Sequence, residues 1–442
     1  MSSQHHVIIG TGPAGVTAAE TIRKQSPEAK ITMIGGEGEA PYSRMAIPYL
    51  LEGQIGEGGT FLRQDAGHFE TCRIDVVQGP VSGVDTSAKQ VSLESGDAIA
   101  YDKLLIATGA SPVRPPIVGL DQPGVHTCWT LEDARRIVEL ATKGAPVVLV
   151  GAGFIGSIIL EALAKGGVAL TVVEMGDRMV PRMLDETAGN MLKRWCEKEG
   201  VRVVTGTTVD AIVSGRTDGS GADNPDGGAR FTVQLGNGDH VPAELVVIAA
   251  GVRSNISFLE GSGIAVGDGV TVDEYLATSA PDVYAAGDVA EGRDLSTGAY
   301  DMLAIQPVAV EHGFIAAMNM AGQPTPHRGS LNMNVLDTLG LISSSFGQWQ
   351  GVDGEDSAAR VDEDAYRYIK LAFAGDKLVG AQCVGMTEHI GMLRGLIQTG
   401  LSLGPWKARL MEAPERLPEA YVATAQAIPN FGPSGPKIAL PV

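Results

Sequence analysis

Two short segments constrain this chain more than anything else in it: GTGPAG at Gly10–Gly15 and GAGFIG at Gly151–Gly156. Each follows a run of apolar residues, Val7–Ile9 and Val147–Val150, and each opens a stretch of helical spacing that reaches Gln25 and about Lys165. A further apolar strand comes next in both places, Ile31–Ile34 and Leu170–Glu174, so the chain carries two βαβ units about 140 residues apart. Such a turn gives each glycine a task. The first makes the tight turn, the second lets pyrophosphate approach the backbone, and the third lets the helix pack on the strand. The helix N-terminus then faces the phosphates. One copy alone is compatible with a purely structural turn. Here an acidic residue follows each copy near the roughly 20-residue distance at which a carboxylate accepts from ribose hydroxyls. Glu37 lies 22 residues after Gly15, and Glu174 lies 18 after Gly156. Two different dinucleotides are implied, on two Rossmann-like α/β domains.

With 442 residues the chain has room for two or three domains. Its 58 glycines show no collagen-like period and sit beside hydrophobic runs, which suits many tight turns between buried strands. Leu104–Gly109 and Leu245–Gly251 are strands ending in small-residue turns, and they read as the crossings between the two units. The expected organisation is therefore 1–117 with 245–325 as one nucleotide domain and 118–244 as the other. An α+β domain follows over 326–442, with strands at Tyr366–Ala374 and Leu378–Val384 and a helix near His389–Gln398. Ser214–Gly228 reads as a long hairpin loop between Thr207–Val213 and Phe231–Leu235. The stretch from Pro405, charged and then proline-rich, reads as a tail wrapped on a surface.

Charge narrows the function. Lys+Arg number 33 against Asp+Glu 52, a net charge of −19, which argues against nucleic acid and anionic membrane as partners because both need a basic face. The longest weakly polar run, Ala145–Leu160, is interrupted by glycines and is shorter than the roughly 20 residues of a membrane span. Cys72, Cys128, Cys196 and Cys383 lie far apart, with neither C-x-x-C spacing nor a clustered His/Cys set, so no metal site is expected and a reducing compartment fits. Val7 begins the first strand with no room before it for a leader segment, so the expected location is the cytoplasm.

The order GTGPAG, ATG at Ala107–Gly109, GAGFIG and TSAPDVYAAGD at Thr278–Asp288 resembles the pyridine nucleotide-disulfide oxidoreductase superfamily of FAD flavoproteins, over nearly the whole chain. The resemblance implies FAD in the first domain, NAD(P)H in the second, and a dimer interface in the third. It assigns to FAD Gly10, Gly12, Pro13, Ala14, Gly15, Glu37 and Asp288, the last accepting from a ribityl hydroxyl, and makes Arg44, Ala107, Thr108, Gly109, Gly251 and Gly287 further cofactor-binding candidates. Gln306, Pro307 and Val308 open a helix whose N-terminal amides would face the flavin pyrimidine. To NAD it assigns Gly151, Gly153, Phe154, Ile155, Gly156 and Glu174. A carboxylate at Glu174 favours a free 2′-hydroxyl over a 2′-phosphate, and only Arg178 and Arg182, beyond a loop, stand nearby; NADH is expected over NADPH. Ile158 stands where many members carry a glutamate, and Glu161 is either its substitute or a helix-face residue.

The half-reaction from NADH to FAD follows from the resemblance, and the acceptor stays open. Disulfide reductases of the superfamily carry a redox cysteine beside the flavin, and the matching stretch here, APYSRMAIPYLLEG at Ala40–Gly53, has none. Its PYSR half resembles rubredoxin, ferredoxin and nitrite reductase flavoproteins. Its MAIPY half is similar to coenzyme A disulfide reductases and NADH oxidases, with Met45 in the cysteine's place and Tyr49 where many ferredoxin reductases have lysine. A thioether forms neither a mixed disulfide nor a thiolate. Met45 and Tyr49 are expected near the flavin, with Met45 packing beneath it, and His389 is a candidate proton donor from a dimer partner. Three readings remain: an oxidoreductase passing electrons from NADH through FAD to an iron-sulfur carrier protein; an NADH oxidase or reductase of a small acceptor (quinone, metal or dye); and an NADH-responsive redox sensor that binds a partner.

Overall fold

The structure, a computed structural model, describes residues 4–215 and 229–426. Its contacts divide the chain into two units, Met1–Val180 with Cys196–Ser330 and Pro181–Trp195 with Leu331–Val442.

The first unit holds two five-stranded parallel sheets built to one plan. In each, the strand that feeds a glycine turn is central. His5–Ile9 lies between Lys30–Gly35 and Lys103–Ile106, and Pro146–Val150 lies between Ala169–Glu174 and Leu245–Ile248. Asp75–Gln78 and Val283–Ala285 complete the first sheet, Arg202–Thr205 and Val125–Thr127 the second. Strands covered on both faces read as near-continuous apolar runs rather than alternating ones, and Val7, Ile8, Leu104, Leu105, Val148 and Leu149 are all fully buried. Each such side chain contributes roughly 1.5–3 kcal/mol relative to leaving it in water. The strand order reverses at each central strand, the place where open parallel sheets take their ligands.

The duplication goes further than the glycine turns. Each parallel sheet is interrupted in chain order by a three-stranded antiparallel one: Val81–Asp85, Gln90–Leu93 and Ala98–Ala100 in the first, Val209–Ser214, Phe231–Leu235 and His240–Ala243 in the second. The chain then crosses between halves on a paired ribbon, Ala110–Pro112 antiparallel to Val252–Ser254, immediately after the two small-residue turns that the sequence marks. The hairpin strands expected around the long polar loop pair as predicted, and loop residues 216–228 lie outside the described residues.

The second unit is an antiparallel sheet in the order Met333–Thr338, Leu341–Gly347, Lys377–Val384, Arg367–Ala374, Ser357–Asp362, with helices Ile390–Thr399, Pro405–Glu412 and Leu417–Gln426. The wrapped-tail reading from Pro405 is corrected over residues 405–426. Leu410, Leu417 and Ala420 are buried there, but Pro414 splits them between two short helices, so no continuous period announces them. The prolines from Pro429 onward lie outside the described residues. Pro181–Trp195, which the sequence reading places inside 118–244, makes its contacts in this unit. The Asp185 carboxylate accepts from Tyr368 Oη (2.7 Å) and Gln382 Nε2 (2.9 Å), and Trp195 Nε1 donates to the Leu339 carbonyl (3.2 Å).

Candidate active site

Both glycine turns have one geometry, and it is steric. A Cβ placed on Gly10 would sit 2.0 Å from the Ala107 carbonyl oxygen, and one on Gly15 would sit 2.0 Å from that of Gly10. Their counterparts Gly151 and Gly156 would meet the Ala249 and Gly151 carbonyl oxygens at 2.4 and 2.1 Å. Gly10 and Gly151 also take positive φ, +118° and +101°. The middle glycines differ: a Cβ on Gly12 or Gly153 would meet nothing within 4 Å. Those two positions are open because the chain leaves space above the helix N-terminus. The first intrahelical bonds run from Val16 N to Gly12 O and from Ser157 N to Gly153 O, so the amides of Ala14 and Gly15, and of Ile155 and Gly156, face out of their helices. Each turn thus fits a pyrophosphate, by its open floor as well as its donors. Pro13 and Phe154 are the first helical residues.

Around the first turn, distant segments converge on Arg44. Its guanidinium pairs with the Glu37 carboxylate, donates to Tyr42 Oη (2.8 Å) and the Trp129 carbonyl (2.6 Å), and lies 5.4 and 5.3 Å from the Tyr42 and Trp129 ring centroids. Tyr42 Oη donates to the other Glu37 oxygen (2.5 Å). Arg44 also acts on Asp288, just past Gly287 at the end of strand Val283–Ala285. Burial raises the Asp288 carboxyl above the usual carboxylate range, and the Arg44 charge works against that rise. Ser43 Oγ donates to Gln306 Oε1 (2.6 Å), tying this loop to the helix Gln306–Met320, where Pro307 is exposed and Val308 buried. The Thr108 hydroxyl donates to the Asn255 carbonyl (2.9 Å) and the Gly109 carbonyl accepts from Asn255 N (3.0 Å), which fixes the Ala107–Gly109 turn; Gly251 likewise accepts from Val113 N (2.9 Å). The sequence reading names Glu37, Arg44, Asp288 and Gln306, and the structure brings these four together. It does not single out Trp129, for which no local pattern exists.

At the second turn Glu174 is only 9% exposed, and its carboxylate oxygens accept from Ala152 N (2.6 Å) and Gly176 N (2.7 Å). The side chain therefore ties its strand end to the glycine turn, and the remaining lone pairs are what a ribose would use. Glu161 pairs with Lys165 (2.7 Å), which also reaches Glu52 (3.2 Å) at the end of the helix Ile47–Leu51. From the helix Leu131–Leu140, Arg135 pairs with Glu39 (2.8 Å) and Glu57 (2.6 Å). Helices of the second half thus hold the 37–57 segment of the first at both ends.

Met45 and Tyr49 lie on that segment and are 47% and 52% exposed. His389 is exposed at the N-terminus of helix Ile390–Thr399, in the second unit. Burial pushes the thiols of Cys128, Cys196 and Cys383 up to about 12. Among the described residues, no group of three or more His, Cys, Asp or Glu is placed to hold a metal ion, and no helix is long and apolar enough to cross a membrane.

Comparison with known proteins agrees with this geometry. The model of the family described as pyridine nucleotide-disulphide oxidoreductase matches residues 4–313. The chain is 31% identical over 412 residues, 92% of its length and 95% of the relative's, to the NADH-dependent phenylglyoxylate dehydrogenase subunit epsilon of Aromatoleum evansii. It is 33% identical over 325 residues to an NADH oxidase of Methanocaldococcus jannaschii, covering 72% of this chain and 70% of that one. Among solved structures, a NAD-dependent persulfide reductase from A. fulgidus superposes with a TM-score of 0.80 at 30% identity, over 91% of this chain and 78% of that one. With two pyrophosphate-fitted turns and the Glu37–Arg44–Asp288 constellation in place, the chain belongs to the pyridine nucleotide-disulphide oxidoreductase family and is an FAD-dependent NADH:acceptor oxidoreductase.

Proposed function

We propose that the acceptor is an iron-sulfur carrier protein, and that the enzyme works as a homodimer in the cytoplasm. The observation that carries the acceptor is that the segment 40–53 contains no cysteine. By the resemblance, Met45 stands where coenzyme A disulfide reductases and NADH oxidases carry a redox cysteine, and three of the four cysteines are buried with thiols near 12. Electrons therefore leave from the flavin itself. FAD, when bound, would supply the two-electron chemistry, accepting one hydride from NADH and giving up those electrons singly or as a pair. The chain's own part is positional: the open glycine turns would take the two pyrophosphates, Asp288 and Glu37 would accept from hydroxyls of the first dinucleotide, the backbone N–H groups of Gln306 and Val308 would face the developing negative charge on its ring, and Glu174 would accept from the ribose of NADH in preference to NADPH. A protein acceptor is supported by the relative spanning 95% of its own length, which is by name a subunit. Four free cysteines suit a reducing compartment.

The NADH oxidase relative supports direct use of a small acceptor as the second reading. Anaerobic NADH oxidation measured against ferredoxin, rubredoxin, quinone and dye, beside oxygen uptake in air, separates the two. The proposal expects kcat/KM for an iron-sulfur carrier at least tenfold above that for oxygen. Peroxide or water formation keeping pace with NADH consumption would overturn it, and so would sluggish reoxidation by every acceptor, the behaviour of a sensor.

A further inference from the structure

One concavity of the first unit has no part in the dinucleotide sites. Its volume is about 490 Å³, within the roughly 300–1,000 Å³ usual for small-molecule sites, and it opens between the hairpin Ala290–Arg293/Tyr300–Met302 and the loop that follows helix Gln306–Met320. Arg293 and Tyr300 line it from the hairpin, His327 and Arg328 from the loop, and Glu274 from the opposite side.

Charge and hydrogen bonding say what it suits. Neither the Arg293 nor the Arg328 guanidinium makes an ion pair or side-chain hydrogen bond among the described residues, whereas Arg44, Arg63, Arg135, Arg194 and Arg360 each hold a carboxylate. Both of these unpaired arginines line one hollow, in a chain with 52 acidic and 33 basic residues. The floor is preformed. The His327 ring is 1% exposed, its backbone N–H donates to the Glu274 carbonyl (2.6 Å), and its Nε2 lies 3.0 Å from Ser330 Oγ. Ser330 Oγ donates to the Glu311 carboxylate (2.6 Å), so it accepts from His327 Nε2–H, which leaves Nδ1 as the ring's acceptor. Behind it His312 packs edge-on, ring centroids 4.6 Å apart. The hollow therefore offers strong donors from two arginines and Tyr300, and acceptors from Glu274 and His327.

We infer that this cavity is a binding site, separate from both dinucleotide sites, for a small metabolite that carries an oxyanion, phosphate or carboxylate, next to a hydroxyl or amino donor. The arginines hold the oxyanion and Glu274 with His327 the donor; a bare ion would leave most of the volume unfilled. The hairpin begins two residues after Asp288, and the helix that opens at Gln306 ends at the loop bearing His327 and Arg328, so an occupant clamps together two elements that border the FAD site. It acts as an effector that stabilises the flavin-loaded unit.

Titration of the FAD-loaded protein with inorganic phosphate, glycerol phosphate and malate, each against sodium chloride at matched ionic strength, tests this by calorimetry and by the thermal midpoint. The expected result is saturable binding of glycerol phosphate or malate at one per chain, tighter than inorganic phosphate, weakened at least tenfold by Arg293→Gln and by Arg328→Gln. Flavin content and NADH–dye activity of the variants should stay unchanged. Glycerol phosphate alone binding assigns a phosphate ester, malate alone a carboxylate. No saturable binding to the unmodified protein by either, or binding that survives in the Arg293→Gln/Arg328→Gln double variant, would overturn the inference.

Discussion

Replacing Glu174 with glutamine separates the two tasks of that side chain. Its carboxylate oxygens accept backbone N–H groups at 2.6 and 2.7 Å in a position 9% exposed. A glutamine amide keeps one acceptor oxygen and turns an NH2 toward the second N–H, so one charge-assisted bond is lost and a donor is orphaned. The unfolding free energy should fall by about 1.5–3 kcal/mol. The coenzyme effect is distinct. A neutral amide no longer repels a 2′-phosphate and accepts more weakly from a 2′-hydroxyl, together about 1–3 kcal/mol of discrimination. The ratio of kcat/KM for NADH over NADPH should then drop by about 5- to 150-fold. Steady-state rates with both donors and one dye acceptor, beside urea unfolding, measure the two quantities on the same preparations. A loss of stability with an unchanged coenzyme ratio would show that Glu174 only fastens the glycine turn, and the ribose assignment would fall.

Three other outcomes are expected. Asp288→Ala should lower the FAD content of purified protein strongly, read from the flavin absorbance per chain; full occupancy would remove the central anchor of the first site. A thiol reagent at pH 8 should titrate at most one of the four cysteines in the folded enzyme, since burial holds three near 12, and reductive titration should consume two electrons per FAD; uptake of four would restore dithiol chemistry. Burial lowers His312 to about 3, so between about pH 6.5 and 3 the unfolded chain takes up a proton there that the folded one refuses. Stability is therefore lost as pH falls through that window, at up to about 1.4 kcal/mol per pH unit from this group. His312→Leu should flatten the acid limb of a stability-against-pH series below pH 6, and an unaltered slope would refute the assignment.

The glycine turns, the strands around them and the doubling of the nucleotide unit were legible in the linear chain because their causes are local. A Cβ at Gly10, Gly15, Gly151 or Gly156 would lie 2.0–2.4 Å from a backbone oxygen, so only glycine fits, and strands buried on both faces are apolar at nearly every position. Met45 was equally plain, since the chemistry it forbids belongs to one side chain. Folding alone decided how Arg44 collects its partners: the Trp129 carbonyl is 85 residues away, and the Ser43–Gln306 bond beside it spans 263. It also decided that Pro181–Trp195 fastens to the C-terminal sheet through Asp185, and that Arg293 and Arg328 face one hollow. Contacts between remote segments leave no period in the sequence, because each side chain there answers to a neighbour that only the tertiary fold supplies.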